Sequence, residues 1–405
     1  MIEAQIAKML AYGHFSRELV ALYLHRIVAC ASASAVGAFT VIFVYQLFDG
    51  SLFAALVVFG AMYLGTGIMV VPAAQLLNRF GIRTVLLFSF PFIIVGHAAL
   101  FFLATGYVTD SVSVILLLIS YIVVAILYRV LYWIPYNTDM SILLDRSRRG
   151  TQVALLSNIA DINVATMPFW AGLVVAFWGF GWLFLLAAAL TLLSVIPLFW
   201  TKNRHEHYSW TYVETLRALF AFESRPLLWG YSARGVQDGV QIVLWPLLVF
   251  LLLDQEYIAV GAITALTFFA IIIIRFFTGR LFDGGKKVRI LTWGAALSAT
   301  GWIMKMAVVT PVAIFVVDTY HGVGRIMNQT AIDIFAFEQA ADNGRFVDEY
   351  TVLKELSLSI GRTFVLLLAG IAAWFGGAYA GFGIALLAAA FATLGTIRLA
   401  RQQPL

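Results

Sequence analysis

The feature that most constrains this chain is an alternation. Apolar stretches of roughly 20 to 30 residues recur from end to end, each long enough to cross a ~30 Å hydrocarbon core. The loops between them alternate in charge. One set carries Lys8 and Arg17, then Arg79 and Arg83, then Arg146, Arg148 and Arg149, then Lys202, Arg204, Arg217 and Arg225. It continues with Arg280, Lys286, Lys287 and Arg289, then Arg345, and ends with Arg398 and Arg401. The opposite set, around Asp49, Asp110, Gly179, Asp254, Glu256, Thr310 and Gly376, holds no Lys or Arg. Loop cations stay on the cytoplasmic side, so both termini and the central linker are expected in the cytoplasm.

Composition agrees with a membrane chain. Of 405 residues, 62% are hydrophobic and 12% charged, against about 25% charged in soluble domains. The net charge of +5 is explained by loop cations and does not call for nucleic acid. Cys30 is the one cysteine, which excludes a disulfide framework or a cysteine-based metal site. The first residues, MIEAQIAKMLAYGHFSREL, are amphipathic and lack a signal-peptide core followed by a small-residue cleavage site. The expected location is a plasma membrane, the inner membrane of a prokaryote.

Apolar periodicity places helices near 19–47, 52–77, 83–105, 112–140, 151–176, 181–200, 227–253, 257–281, 288–309, 311–338, 346–375 and 378–399. The domain plan is an amphipathic N-terminus (1–18), a six-helix bundle (19–200), a polar linker (201–225), a second bundle (226–400) and a tail (401–405). The halves echo one another. Tyr23 and Arg26 match Tyr231 and Arg234. Arg129 matches Arg325, with Asn137 and Asp333 eight residues on. Leu155, Ile162, Ala171 and Gly172 match Leu353, Ile360, Ala369 and Gly370 at one constant offset. Such a duplicated six-helix unit is common in secondary transporters.

The tight basic hairpin RFFTGRLFDGGKKVRI (275–290) and its first-half counterpart resemble a loop signature of the major facilitator superfamily, G-x-L-x-D-R-x-G-R/K. In the second half Gly279, Leu281 and Asp283 match, followed by Lys286 and Lys287. In the first half Leu76, Arg79, Gly81 and Arg83 fit, while Ala74 replaces the glycine and Asn78 the aspartate. The resemblance implies an all-α polytopic fold of about twelve transmembrane helices in two pseudo-symmetric six-helix bundles. The bundles would rock about a central cavity lined by helices one, four, seven and ten.

Those four helices are independently the polar ones. An ionisable side chain at mid-bilayer costs about 2.5–3.5 kcal/mol on insertion scales, so each needs a reason. Helix seven carries Arg234, Gln237, Asp238 and Gln241 at i, i+3, i+4 and i+7, one stripe on one face. Mutual neutralisation of Arg234 and Asp238 is the plain structural reading; the two glutamines on that face favour water or solute. Helix ten carries Asp318, His321 and Arg325 on one face, either a polar network between helices or, with His321 titrating near neutral pH, part of a proton relay. Lys305 is set to pair with Asp318 or to snorkel outward. Helix four offers Arg129, Tyr132 and Trp133, as packing aromatics or as solute contacts. Arg26 in helix one either snorkels or faces the cavity. Asp161 in helix five has no cation in its own helix. Helix eleven has Glu355, Ser359 and Arg362 on one face. The proton-coupling candidates are Asp161, Asp238, Asp318 and His321, and the gating residues are Asn78, Arg79, Gly81, Arg83, Gly279, Asp283, Lys286 and Lys287.

No P-loop or C-x-x-C is present, no residues form a spacing-defined catalytic set, and no cofactor or metal is called for. The leading expectation is a monomeric secondary transporter of a small solute, driven by a proton or a counter-solute. Arg26 and Arg234 resemble the arginine pair of organophosphate antiporters in the superfamily, which would suit an anionic solute. The alternatives are an exporter of amphipathic compounds and a non-transporting sensor or assembly protein with this fold.

Overall fold

The computed structural model describes residues 16–144, 149–205, 208–222, 224–278, 287–342 and 347–397. The first six helices are α1 (Arg17–Leu47), α2 (Leu52–Phe80), α3 (Ile82–Thr105), α4 (Ser111–Leu143), α5 (Arg149–Trp178) and α6 (Phe180–Val195, continued as a 3-10 turn to Trp200). The second six are α7 (Arg225–Leu252), α8 (Tyr257–Thr278), α9 (Lys287–Met304), α10 (Pro311–Asp342), α11 (347–376) and α12 (378–395). Among the described residues there is no strand. Nine described helices are long and apolar enough to cross a membrane, with α11 and α12 counted together as Glu349–Gly395. With α9 and α10 they make the twelve spans.

Helix ends follow local chemistry. Ser16, Ser51 and Asp110 accept the N–H groups of Leu19, Ala54 and Ser113 at 3.1, 3.3 and 2.8 Å, satisfying donors that the first turn leaves unpaired. The α11–α12 break falls at Gly377, one residue beyond the expected turn at Gly376. Its φ of 78° is a left-handed conformation that suits glycine. In α7, Pro246 has no N–H to give, and a π turn spans Val240–Leu244, where Trp245 N–H bonds back to the Val240 carbonyl.

In the first bundle α1 packs on α5 and α6, α3 on α4 and α6, and α2 on α4. In the second, α7 packs on α11, α9 on α10 and α12, and α8 on α10. The bundles meet along α2–α11 and α5–α8. On the face opposite the linker this seam is tight: a Cβ on Gly172 of α5 would lie 2.6 Å from the Tyr257 carbonyl oxygen of α8. A Cβ on Gly261 of α8 would likewise collide with the Pro168 carbonyl of α5. Small residues at such crossings let backbones approach where lipid offers no hydrophobic drive. Gln46 Nε2 donates to the Tyr257 hydroxyl across the same face at 2.9 Å, and apolar residues of α1 and α7, including Phe39, Ile42, Trp245 and Phe250, share one core there.

The linker is built rather than loose. Thr211 and Glu214 form a reciprocal capping box on the short helix Tyr212–Phe220, and the Thr211 N–H and hydroxyl hold the Glu214 carboxyl below its usual range. Arg204 bonds Asp139 of α4 at 3.0 Å and also Glu18 of α1, so Asp139 finds its partner in the linker of its own half.

Candidate functional site

A cavity of about 180 Å³ lies between the bundles. Its walls come from Val36, Gly37, Thr40 and Val41 of α1, Phe59, Met62, Tyr63 and Thr66 of α2, and Tyr121, Ala125 and Arg129 of α4. Ile242 and Val243, on the π turn of α7, close it from the second bundle. π turns of this kind recur at functional sites because they re-aim side chains within an otherwise regular helix.

Arg129 is the one charged group among the described residues of this wall. Its guanidinium lies over the Tyr63 ring at 4.8 Å, and Arg362 of α11 lies over the same ring at 5.3 Å. Two cations from opposite bundles therefore meet one phenol ring, an attractive but modest contact of about 0.5–2 kcal/mol each. Arg362 donates to Asp238 of α7 at 2.9 Å. Arg129 has a buried Nε without a hydrogen-bond partner among the described residues, as do Nε and Nη1 of Arg362 and Nε of Arg325. The carboxylates within electrostatic reach of Arg129 are Glu355 and Asp238. Asp161 of α5 and Arg325 of α10 interact across the bundle seam, and Arg234 and Arg325 add to the positive field at Asp238.

A second polar node lies beside the π turn. Lys305, fully buried at the end of α9, donates to Asp318 at 2.7 Å and to Gln241 at 2.9 Å. Its ammonium sits between the rings of Trp245 and Trp302, 4.0 and 4.6 Å away. Of the two options open in the sequence, Lys305 takes the ion pair. His321 is buried against Trp302, with ring centroids 4.1 Å apart and neither nitrogen hydrogen-bonded to a described residue. Gln237 is also buried, its amide nitrogen bonded to the Ala233 carbonyl at 3.3 Å.

Other expected site residues lie elsewhere. Tyr132 and Tyr136 stack at 5.5 Å, and the Tyr132 hydroxyl bonds His25 at 3.0 Å. His25 in turn bonds the Ser194 carbonyl at 2.7 Å. Arg26 lies over Trp133 and Tyr136 at 4.9 and 5.6 Å. Tyr132, Trp133, Tyr136 and Arg26 thus form a network inside the first bundle, apart from the cavity lining, to which α4 contributes Tyr121. Asp238 faces both Arg234 and Arg362, but its hydrogen-bonded ion pair is with Arg362.

At the first-half hairpin, Asn78 makes a two-way bond with the linker. Its Nδ2 donates to the Tyr208 carbonyl at 2.9 Å and its Oδ1 accepts the Tyr208 N–H at 2.8 Å. A carboxylate can accept but cannot donate, so the amide in place of the signature aspartate has a physical reason. Burial pushes the Tyr208 phenol up to about 12, and its hydroxyl meets Thr215 at 2.6 Å. Ser209 donates from its hydroxyl to Glu349 at the start of α11 at 2.7 Å, so the linker spans both bundles. Gly81 separates α2 from α3 at φ 78°, and Arg79 and Arg83 lie over Phe80 and Phe199 at 5.3 and 5.7 Å. Gly279, Asp283 and Lys286 lie outside the described residues, as does the side chain of Lys287.

Sequence reasoning missed Tyr63 and the cavity face of α2, which read as ordinary apolar helix. The signal available was the pair of arginines needing a shared neighbour.

No protein-family description and no curated protein matches the sequence. The solved structures that share the fold include a crystal structure of a bacterial homologue of the iron transporter ferroportin in the inward-facing state. Its TM-score is 0.69 at 13% sequence identity, over 95% of this chain and 99% of that one. At that identity the likeness is one of fold. The chain is an integral membrane protein with the twelve-helix, two-bundle fold of the major facilitator superfamily.

Proposed function

We propose that the chain is a secondary active transporter that moves a small anionic solute through the central cavity by alternating access. One observation carries this reading: Arg129 borders a cavity between the bundles with no hydrogen-bonded carboxylate among the described residues. A guanidinium inside a membrane-spanning bundle without a bonded anion is costly, and a solute anion would supply the missing partner through charge-assisted bonds. Arg362, over the same Tyr63 ring, couples that event to the second bundle. The solved structure above is of an iron-transporter homologue, but guanidinium, phenol and hydroxyl groups suit an anion better than a metal cation. Among the described residues no three His, Cys, Asp or Glu side chains converge to hold a metal ion.

The tight seam opposite the linker corresponds to a state closed on that face. With the linker face and both termini cytoplasmic, that state is closed to the outside. Asp238 and Asp318 pair with Arg362 and Lys305, and in this reading Asp161, which interacts with Arg325 across the seam, links solute binding to the facing state. The amphipathic-exporter alternative drew on the aromatics of α4, of which Tyr132 and Tyr136 are occupied in first-bundle packing while Tyr121 lines the cavity.

Uptake into proteoliposomes, with panels of anionic, neutral and cationic solutes and ferrous iron, tests the reading. Saturable anion uptake that falls at least tenfold in Arg129→Gln is expected. Uptake confined to iron or to cations, unchanged in Arg129→Gln, would refute it.

A further inference from the structure

The charge and shape of the cavity narrow the solute further. Building on the anionic reading, we infer that the cavity binds a small monocarboxylate with a compact apolar body.

Among the described residues the wall carries one cation, Arg129, and Glu355 and Asp238 already lie within its electrostatic reach, so the site takes at most one further negative charge. Arg362 adds little net charge because Asp238 is bonded to it at 2.9 Å. Much of the remaining lining is apolar, with Val36, Val41, Phe59, Met62, Ile242 and Val243 contributing beside the hydroxyl-bearing Thr40, Tyr63, Thr66 and Tyr121. The Thr66 hydroxyl donates to the Met62 carbonyl of its own helix at 2.7 Å, so its proton is already committed. A sugar or a nucleoside would bury more hydroxyls than the Thr40, Tyr63 and Tyr121 groups and Arg129 can pair, at about 1–3 kcal/mol for each one left unmade. A dianion or a phosphate would leave a second charge uncompensated.

Size points the same way. The volume, 180 Å³, is slightly larger than the roughly 150 Å³ apolar cavity known to take benzene. An apolar body of about six heavy atoms fills such a space, and its carboxylate reaches Arg129. The void extends to the α1 backbone at Gly37, where an added Cβ would meet nothing within 4 Å. A side chain at Gly37 would therefore shorten the space open to the body. A side chain there enters empty space, so the substitution changes the cavity and leaves the packing alone.

The test is isothermal titration of the purified full-length protein in detergent. The ligands are straight-chain monocarboxylates from acetate to octanoate, with benzoate, succinate, inorganic phosphate and hexanamide beside them. Affinity should rise about fourfold per added methylene, pass through a maximum and then fall. Succinate, phosphate and hexanamide should bind at least tenfold more weakly than the best acid. Gly37→Val should keep its thermal unfolding midpoint and shift the maximum to an acid about three carbons shorter. Gly37→Ala, a milder change, should shift it by about one.

A flat chain-length profile would overturn the inference, as would a preference for phosphate or succinate, or a maximum unmoved by either Gly37 variant. If such binding still required Arg129, the anionic reading would stand without the monocarboxylate. If no anion bound in an Arg129-dependent way, both would fall.

Discussion

Replacing Lys305 with methionine probes how the second bundle is held together. The lysine makes a 2.7 Å bond to Asp318 and a 2.9 Å bond to Gln241, and its ammonium lies within 4.6 Å of two tryptophan rings. Methionine fills most of the volume and removes all four interactions. The charge-assisted bonds carry about 1.5–3 kcal/mol each and the ring contacts up to about 2. The larger effect is that Asp318 is left as a buried carboxylate without its cation. Removing one partner of a buried pair costs about 3–5 kcal/mol. For a bundle of this size that corresponds to a fall in Tm on the order of 10 °C. The assay is thermal unfolding of the purified protein in detergent, followed by tryptophan emission, which Trp245 and Trp302 make sensitive to this site. Lys305→Met/Asp318→Leu removes both charges and should regain most of the loss, since replacing an entire buried pair with apolar groups is often neutral or stabilising. A single-variant Tm within about 2 °C of the parent would refute the reasoning and mean that water reaches the pair. So would a double variant as unstable as the single one.

Three further outcomes follow from named contacts. Asn78→Asp cannot donate to the Tyr208 carbonyl and should loosen the linker, seen as faster tryptic cleavage at Lys202, Arg204 or Arg217; an unchanged digestion rate would show that the amide bond is dispensable. Gly172→Val should force α5 and α8 apart on the face opposite the linker, where the Tyr257 carbonyl leaves no room. In a Cys30→Ser background, a cysteine at Gln46 should then react faster with an impermeant thiol reagent, and equal rates would contradict the close packing. Tyr132→Phe deletes the bond to His25 and should cost about 1–3 kcal/mol of stability with the solute KM unchanged; a raised KM would put the α4 aromatics back in the pathway.

The architecture was legible because bilayer thickness and loop charge act on every span alike. The two-bundle plan followed from the internal echo, and Arg129, on which the proposed function turns, stood out as a charge on a helix of the expected lining set. What was hidden depends on the angle at which helices meet. Arg26 and Arg129 both belong to that lining set, yet α1 turns Arg26 into the first bundle against Trp133, while α4 turns Arg129 toward the cavity. The spacing of Arg234 and Asp238 suggested a pair one turn apart; the close approach of α7 and α11 brings Arg362 to Asp238. Asn78 was visible as a departure from the signature, but its reason lies 130 residues away in the linker. Tyr63 carries no charge and follows no motif, and it matters only because two arginines from different halves converge on it.

The central claim is that one arginine-bearing site serves both faces of the membrane in turn. Solute counterflow tests this most directly. Proteoliposomes are loaded with an unlabelled short-chain monocarboxylate, diluted into the labelled acid, and followed in time without any ion gradient. A carrier with one alternating site should accumulate label transiently above equilibrium, and Arg129→Gln should abolish that overshoot. Label that enters linearly without saturation or overshoot, equally in the parent and in Arg129→Gln, would contradict the account.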